Sequence, residues 1–285
     1  MRALVSGGNR GIGKEVVRII LEGSPGSTVF IGCRDIAAGE KIAVELEGAH
    51  GGRVEAVSLD VASEPSIIAA VASVSASVPH LDLLVNNAGI LHEEFSLESA
   101  KEMMQVNFEG VVTLTSACLP MLVAAPAGAS ILSTSSGVGC RTLGLVSDSD
   151  RAKLQSPTLE VPGLRSTLLG IINDLGGDEA HPYHSIPTVG YGLSKLGLNC
   201  YTCLLAKQYP SLRVNACSPG FTNTGMCANY TGTRVPKDVD LGASVFSKVL
   251  FSELGEGKTG TFFKENSKAG TAVEEAHSVV DPWMQ

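Results

Sequence analysis

Tyr191-Gly192-Leu193-Ser194-Lys195 places a phenol and an ammonium four residues apart. On a helix those two positions share one face. A nearby cation favours phenolate and lowers a tyrosine pKa from its free value of about 10. A phenol tuned in this way gives a proton to a carbonyl oxygen, or takes one from an alcohol, near neutral pH. Ser133-Thr134-Ser135-Ser136 follows an apolar run, and a hydroxyl there can polarise the same oxygen. Asn107 is a polar residue among Met104, Val106, Phe108, Val111 and Val112, where it can hold a water beside the lysine. Each feature also has a plain structural reading: a surface Tyr–Lys pair, a serine turn, a satisfied buried amide.

A second chemistry is written at the start of the chain. Ser6-Gly7-Gly8-Asn9-Arg10-Gly11-Ile12-Gly13 joins an apolar strand to a helical pattern. Glycines at such a junction permit a tight turn and close backbone approach to a pyrophosphate, which the helix N-terminus attracts. The spacing is Gly7-x3-Gly11-x-Gly13, not the commoner G-x-G-x-x-G. Past the second strand stands Arg34, where an acidic residue would select a ribose 2′-hydroxyl. Arg10 and Arg34 can together fork onto a 2′-phosphate, which predicts NADP(H). Asp35 is assigned to the next helix N-cap; its competing role is to hold the 2′-hydroxyl of NAD. Asp60-Val61 is placed to meet an adenine ring, and a turn aspartate is the equal alternative. Asn86-Asn87-Ala88-Gly89 ends the fourth strand, small enough to approach a ribose and amide-rich enough to brace its neighbours.

These groups need a scaffold, and the apolar pattern supplies one. Strands are expected at Ala3–Ser6, Thr28–Cys33, Val54–Leu59, Leu81–Asn86, Ser130–Ser133, Arg213–Ala216 and Gly260–Phe263. Helices are expected at Gly11–Leu21, Asp35–Glu47, Glu64–Val78, Leu97–Val123, Val189–Gln208 and Leu241–Phe251. The strands are unbroken apolar runs, as in a parallel sheet covered by helices on both faces. The expected fold is therefore α/β, a single-domain Rossmann fold over 1–285 with a doubly wound parallel sheet of about seven strands. Gly137–Pro187 interrupts the rhythm as an inserted subdomain around 140–187. It carries one helical pattern, Leu164, Leu168, Ile171 and Leu175, which Gly176-Gly177 would stop.

Composition narrows the function classes. The 285 residues carry a formal charge of −8 and 5% aromatics, against duplex binding and single-strand stacking. No apolar run is expected to span a bilayer, and Met1 leads directly into the first strand, so a cytoplasmic protein without a targeting segment is expected. The seven cysteines are scattered, and Cys200-x2-Cys203 reads as two buried side chains in a helix. His181 and His184 have no metal-ligand partners in sequence and read as loop residues, so no metal is expected.

Gly7-x3-Gly11-Ile12-Gly13, Asn86-Asn87-Ala88-Gly89, Ser136, Tyr191-x3-Lys195 and Ser218-Pro219-Gly220 occur in that order. Together they resemble the short-chain dehydrogenase/reductase superfamily. The resemblance implies a catalytic tetrad of Asn107, Ser136, Tyr191 and Lys195, with Ser135 the other candidate serine. It also implies that Lys195 binds the nicotinamide ribose and that Pro219, Gly220 and Thr224 border the nicotinamide. The serine and tyrosine are separated by 191 − 136 = 55 residues, far more than in most members. That insertion resembles the monomeric carbonyl reductases, where it covers the faces used elsewhere for assembly. The implied activity is NADPH-dependent reduction of a ketone, quinone or aldehyde by a monomer. Segments Leu91–Phe95, Cys140–Val146 and Phe221–Tyr230 are expected to shape the substrate site, with a substrate loop around 221–240. Oxidative alcohol dehydrogenation and a catalytically silent dinucleotide sensor are the alternatives.

Overall fold

Side chains along each strand alternate between two apolar cores, and this alternation explains the layers. Leu4, Phe30, Leu84 and Ile131 enter one core; Ala3, Val5, Val29, Ile31, Leu83, Val85 and Leu132 enter the other. Both faces must then be covered, which is why the strands read as continuous apolar runs. The computed structural model describes residues 1–92, 94, 96–177, 189–228, 230–265 and 273–278.

The strands are β1 (Arg2–Ser6), β2 (Thr28–Cys33), β3 (Arg53–Ser58), β4 (Leu83–Asn86), β5 (Ser130–Thr134), β6 (Arg213–Ser218), β7 (Thr261–Glu265) and β8 (Val273–Ser278). They form one sheet in the order β3-β2-β1-β4-β5-β6-β7-β8. The first seven are parallel, as expected, and β8 adds an antiparallel edge that the apolar pattern did not reveal. The strand order reverses between β1 and β4, so a ligand crevice opens past their carboxyl ends. Helices α1 (Gly11–Gly23), α2 (Ile36–His50) and α10 (Val239–Phe251) line one face. Helices α3 (Glu64–Ser77), α4 (Leu97–Met104), α5 (Gly110–Val123) and α9 (Val189–Gln208) line the other. Asp35 caps α2 as expected, accepting from the Ala38 N–H at 3.0 Å.

The expected single helix over Leu97–Val123 is continuous but contains one π turn, Gln105–Glu109. Such turns are rare and frequently lie at functional sites. This one carries Asn107. The same run is long and apolar enough to cross a membrane by length and composition, contrary to the expectation that no run would be. Its Met103, Met104, Phe108, Leu114, Cys118 and Leu122 are buried in the protein core.

Among the described residues the insertion holds three helices, α6 (Gly137–Leu143), α7 (Asp148–Leu154) and α8 (Val161–Gly177), where one was expected. Leu164, Leu168, Ile171 and Leu175 are buried, as their spacing predicts. Helix α8 lies against α9: a Cβ on Gly197 would stand 2.7 Å from Leu168 Cδ1. Arg165 fixes the other side, its Nε donating to Glu109 Oε2 at 2.8 Å. His181, His184, Pro182 and Pro187 lie outside the described residues. Leu168→Ala would open a cavity in this fully buried contact and is expected to cost about 2–5 kcal/mol. A urea denaturation midpoint that does not move would contradict this packing.

Candidate active site

Four segments meet beyond the carboxyl ends of β1, β4, β5 and β6. The loop after β1 is held by its neighbours: Asn87 Nδ2 donates to the Ser6 and Gly7 carbonyls at 3.1 and 3.3 Å. Ser6 Oγ accepts from the Asn87 and Ala88 N–H groups at 3.0 and 3.1 Å, and Thr134 Oγ1 donates to Asn87 Oδ1 at 3.2 Å. Asn87 thus braces β1, β4 and β5, one of the two roles expected of it. Gly7 and Gly11 have φ of 67° and 51°, where a side chain is strained. A Cβ on Gly13 would sit 2.0 Å from the Gly7 carbonyl oxygen, so only glycine closes this turn.

The cradle fits a dinucleotide. Helices α2, α3, α4, α6 and α7 each have a side chain capping the first turn; α1 and α10 have none, and α1 also lacks the acidic first-turn residue that α10 has in Asp240. The first N–H groups of α1 are left to face an anion. Arg10, the residue before α1, and Arg34, directly after β2, are both exposed, and neither forms an ion pair with a described residue. Thr224 closes the cradle from the β6 side, its Cγ2 3.4 Å from where a Gly11 Cβ would be. Gly220, with φ of 75°, turns the chain after buried Pro219. Asp60 accepts from the Ala62 N–H at 3.0 Å, so one carboxylate oxygen serves the turn. The Val61 and Ile12 side chains are buried in the cores, which leaves backbone as their means of touching a nucleotide. Asn9 lies in the same turn, half-buried. Gly13→Ala is expected to weaken NADPH binding at least about tenfold, because the loop must open to admit the methyl group. Nucleotide titration by fluorescence checks this, and unchanged affinity would contradict it.

Helix α9 presents the chemistry. It spans the range expected and packs through glycines: a Cβ on Gly190 would strike Met103, and one on Gly192 would strike Thr142. From the facing helix, a Cβ on Gly139 would lie 2.6 Å from the Lys195 carbonyl carbon. This close approach brings Ser136, the N-cap of α6, to Tyr191, and the two side chains are hydrogen-bonded. Lys195 Nζ lies 5.5 Å from the Tyr191 ring centroid and donates to the Thr134 carbonyl at 2.8 Å. Asn107 is fully buried; its Oδ1 accepts from the Ile90 N–H at 2.8 Å. Its Nδ2 donates to the Ile90 carbonyl at 2.9 Å and to Ser194 Oγ at 3.1 Å. A Cβ on Gly89 would touch both Asn107 Oδ1 and, at 3.8 Å, Lys195 Nζ, so glycine keeps that gap open. Ser135, the alternative serine, turns away and donates to Asn199 Oδ1 at 2.5 Å.

One electrostatic expectation is reversed. Burial pushes the Tyr191 phenol up to about 12, against the lowering pull of the Ser136 hydrogen bond; Cys227 adds to the rise. Burial lowers the Lys195 ammonium to about 8. The Tyr-x3-Lys spacing correctly pairs the groups, but desolvation, which spacing does not report, sets the direction of the shift. In these surroundings the phenol holds its proton and is a donor. The loop facing it includes Cys227, inside the expected Phe221–Tyr230 segment but not singled out by sequence. That loop is ordered by Phe221 and Tyr230 rings 4.7 Å apart and edge-on, and by the Arg234 guanidinium 5.1 Å from the Phe221 ring. Thr222 and Lys237 bridge its two arms. Phe95 and position 93, from the expected Leu91–Phe95 wall, and position 229 lie outside the described residues. Cys200 and Cys203 are buried thiols with raised pKa from desolvation, matching their structural reading.

A glycine cradle at the switch point, with half-buried Tyr191 beside buried Lys195 on one helix, holds the parts that a dinucleotide-dependent oxidoreductase site needs. The chain belongs to the short chain dehydrogenase family, whose model matches residues 1–147. A short-chain dehydrogenase/reductase of Stachybotrys chlorohalonatus is 28% identical over 98% of this chain and 93% of its own. Carbonyl reductase (NADPH) 1 of Homo sapiens is 29% identical over 92% of this chain and 95% of its own. The solved structure of salutaridine reductase from Papaver somniferum superposes with a TM-score of 0.75 at 25% identity, covering 92% of this chain and 98% of that one.

Proposed function

We propose that this chain is a carbonyl reductase: it uses NADPH to reduce a small-molecule ketone, quinone or aldehyde to the alcohol. The observation that carries the reading is the Ser136–Tyr191 hydrogen bond beside Lys195, opposite a glycine cradle with Arg34 directly after β2. The guanidiniums of Arg10 and Arg34 support NADP(H) over NAD(H). Relatives named for NADPH-dependent carbonyl reduction, over nearly the whole chain, support the same activity.

Bound NADPH supplies the hydride. The α1 N-terminus, with Gly7, Asn9, Gly11 and Gly13, holds the pyrophosphate, and Arg10 and Arg34 hold the 2′-phosphate. Asp60 and the Val61 backbone border the adenine. Asn87, Ala88 and Gly89 form the ribose wall, and Pro219, Gly220 and Thr224 form the nicotinamide wall. Ser136 and Tyr191 hydroxyls hold the substrate oxygen, and Tyr191 gives it a proton as the alcohol forms. Lys195 holds the nicotinamide ribose and stabilises the phenolate left behind. Asn107 orients a water for proton resupply.

The pH dependence follows from the Tyr191 phenol. Reduction needs it protonated and alcohol oxidation needs it deprotonated, so the oxidative rate rises towards alkaline pH. Ser136→Ala removes the hydrogen bond that lowers this group and is expected to move the oxidative limb to higher pH. A pH–rate profile that keeps its midpoint would contradict that role. The chain acts as a cytoplasmic monomer and a single domain, with α8 covering the outer face of α9; sedimentation at micromolar concentration tests the monomer.

A further inference from the structure

Tyr191, Lys195 and Asn199 recur every four residues and form one stripe along α9. The stripe meets three successive residues, the last of β5 and the first two of the turn after it. Tyr191 bonds Ser136, Lys195 Nζ bonds the Thr134 carbonyl at 2.8 Å, and Asn199 Oδ1 accepts from Ser135 Oγ at 2.5 Å. Ser135 and Asn199 are both 2% exposed. Asn199 reaches the far side of Ser136 as well: its Nδ2 donates to Cys140 Sγ at 3.5 Å, on the helix that Ser136 caps. It therefore grips the chain on either side of the serine without touching the serine itself.

We propose that Asn199 is a positioning residue for this reaction, acting through Ser135 to fix the Ser136 hydroxyl at the height of the Tyr191 hydroxyl. The inference rests on the carbonyl-reductase reading. Ser136 needs such help because its own local bond, accepted from the Val138 N–H, is 3.2 Å long and sits on a half-buried turn. A Ser135 hydroxyl deprived of Asn199 is buried and must find another acceptor, which rotates the turn. A displacement of about 1 Å at such a site can cost on the order of a hundredfold in rate.

The test compares Ser135→Ala, Asn199→Ala and the double variant, with Asn199→Asp as the variant that keeps an accepting oxygen. Each is measured for kcat and KM on a carbonyl substrate, for NADPH affinity, and for the pH midpoint of alcohol oxidation. Both alanine variants should lose about ten- to a hundredfold in kcat with NADPH affinity within about twofold of wild type. The double variant should be no slower than the slower single one, because one bond is broken in all three. The oxidative midpoint should rise, as Ser136 withdraws from the phenol, and Asn199→Asp should recover part of the rate. Unchanged kcat in Ser135→Ala, additive losses in the double variant, or an unmoved midpoint would each overturn the proposal. Should Asn199→Ala fail to fold, Ser135→Ala, which deletes a single oxygen, decides the question through its kcat and midpoint. Failure of the strut leaves wild type active and Tyr191→Phe inactive, whereas failure of the carbonyl-reductase reading leaves wild type without turnover.

Discussion

Tyr191→Phe is expected to reduce kcat for carbonyl reduction by roughly a thousandfold or more, while NADPH binds within about twofold of its normal affinity. The change deletes one oxygen and no packing. Gly190 and Gly192 still admit α4 and α6, and Lys195 still bonds the Thr134 carbonyl. What disappears is the proton donor that Ser136 orients and that burial keeps protonated. Lys195 is a poor substitute, since its ammonium is directed at the Thr134 carbonyl. Stopped-flow or steady-state NADPH oxidation measures the effect; a variant retaining more than a tenth of wild-type kcat would disprove the assignment.

The second large effect concerns cofactor choice. Arg10→Ala/Arg34→Ala is expected to lower kcat/KM with NADPH by on the order of a hundred- to ten-thousandfold and to leave NADH nearly unaffected. Each charge-assisted contact to a phosphate contributes about 1.5–3 kcal/mol. Neither guanidinium forms an ion pair with a described residue, so removing them leaves no stranded carboxylate to confuse the result. Asp35, the residue that could serve NAD, has one carboxylate oxygen engaged at the α2 N-cap by the Ala38 N–H. Equal losses with both cofactors would place the arginines in general anion steering, and equal use of NADH by the wild type would refute the selectivity.

The elements that carry the chemistry were readable because their signals are local. Val189–Gln208 shows an uninterrupted helical pattern, and the strands are apolar runs bounded by polar turns. Asp35 was identifiable as a cap because it directly precedes a helical run. The π turn at Asn107 was hidden, since no residue type signals an extra residue per turn. Helices α6 and α7 have seven residues each, too few to show a period. Strand β8, Val-Glu-Glu-Ala-His-Ser, pairs antiparallel at the edge and has no apolar run to betray it. The site residues were found by type and spacing, but the direction of the Tyr191 shift depends on how deeply α6, α9 and the 221–237 loop bury it. Burial of that kind comes from tertiary packing, and a five-residue motif does not encode it.

The most direct measurement is NADPH oxidation followed together with alcohol formation, over a panel of apolar diketones, quinones and aldehydes. At least one substrate should consume NADPH and yield its alcohol in equal amounts, and NADH should serve far less well. Tight NADPH binding without turnover of any substrate on the panel would contradict the account and leave a nucleotide-binding protein in place of a reductase.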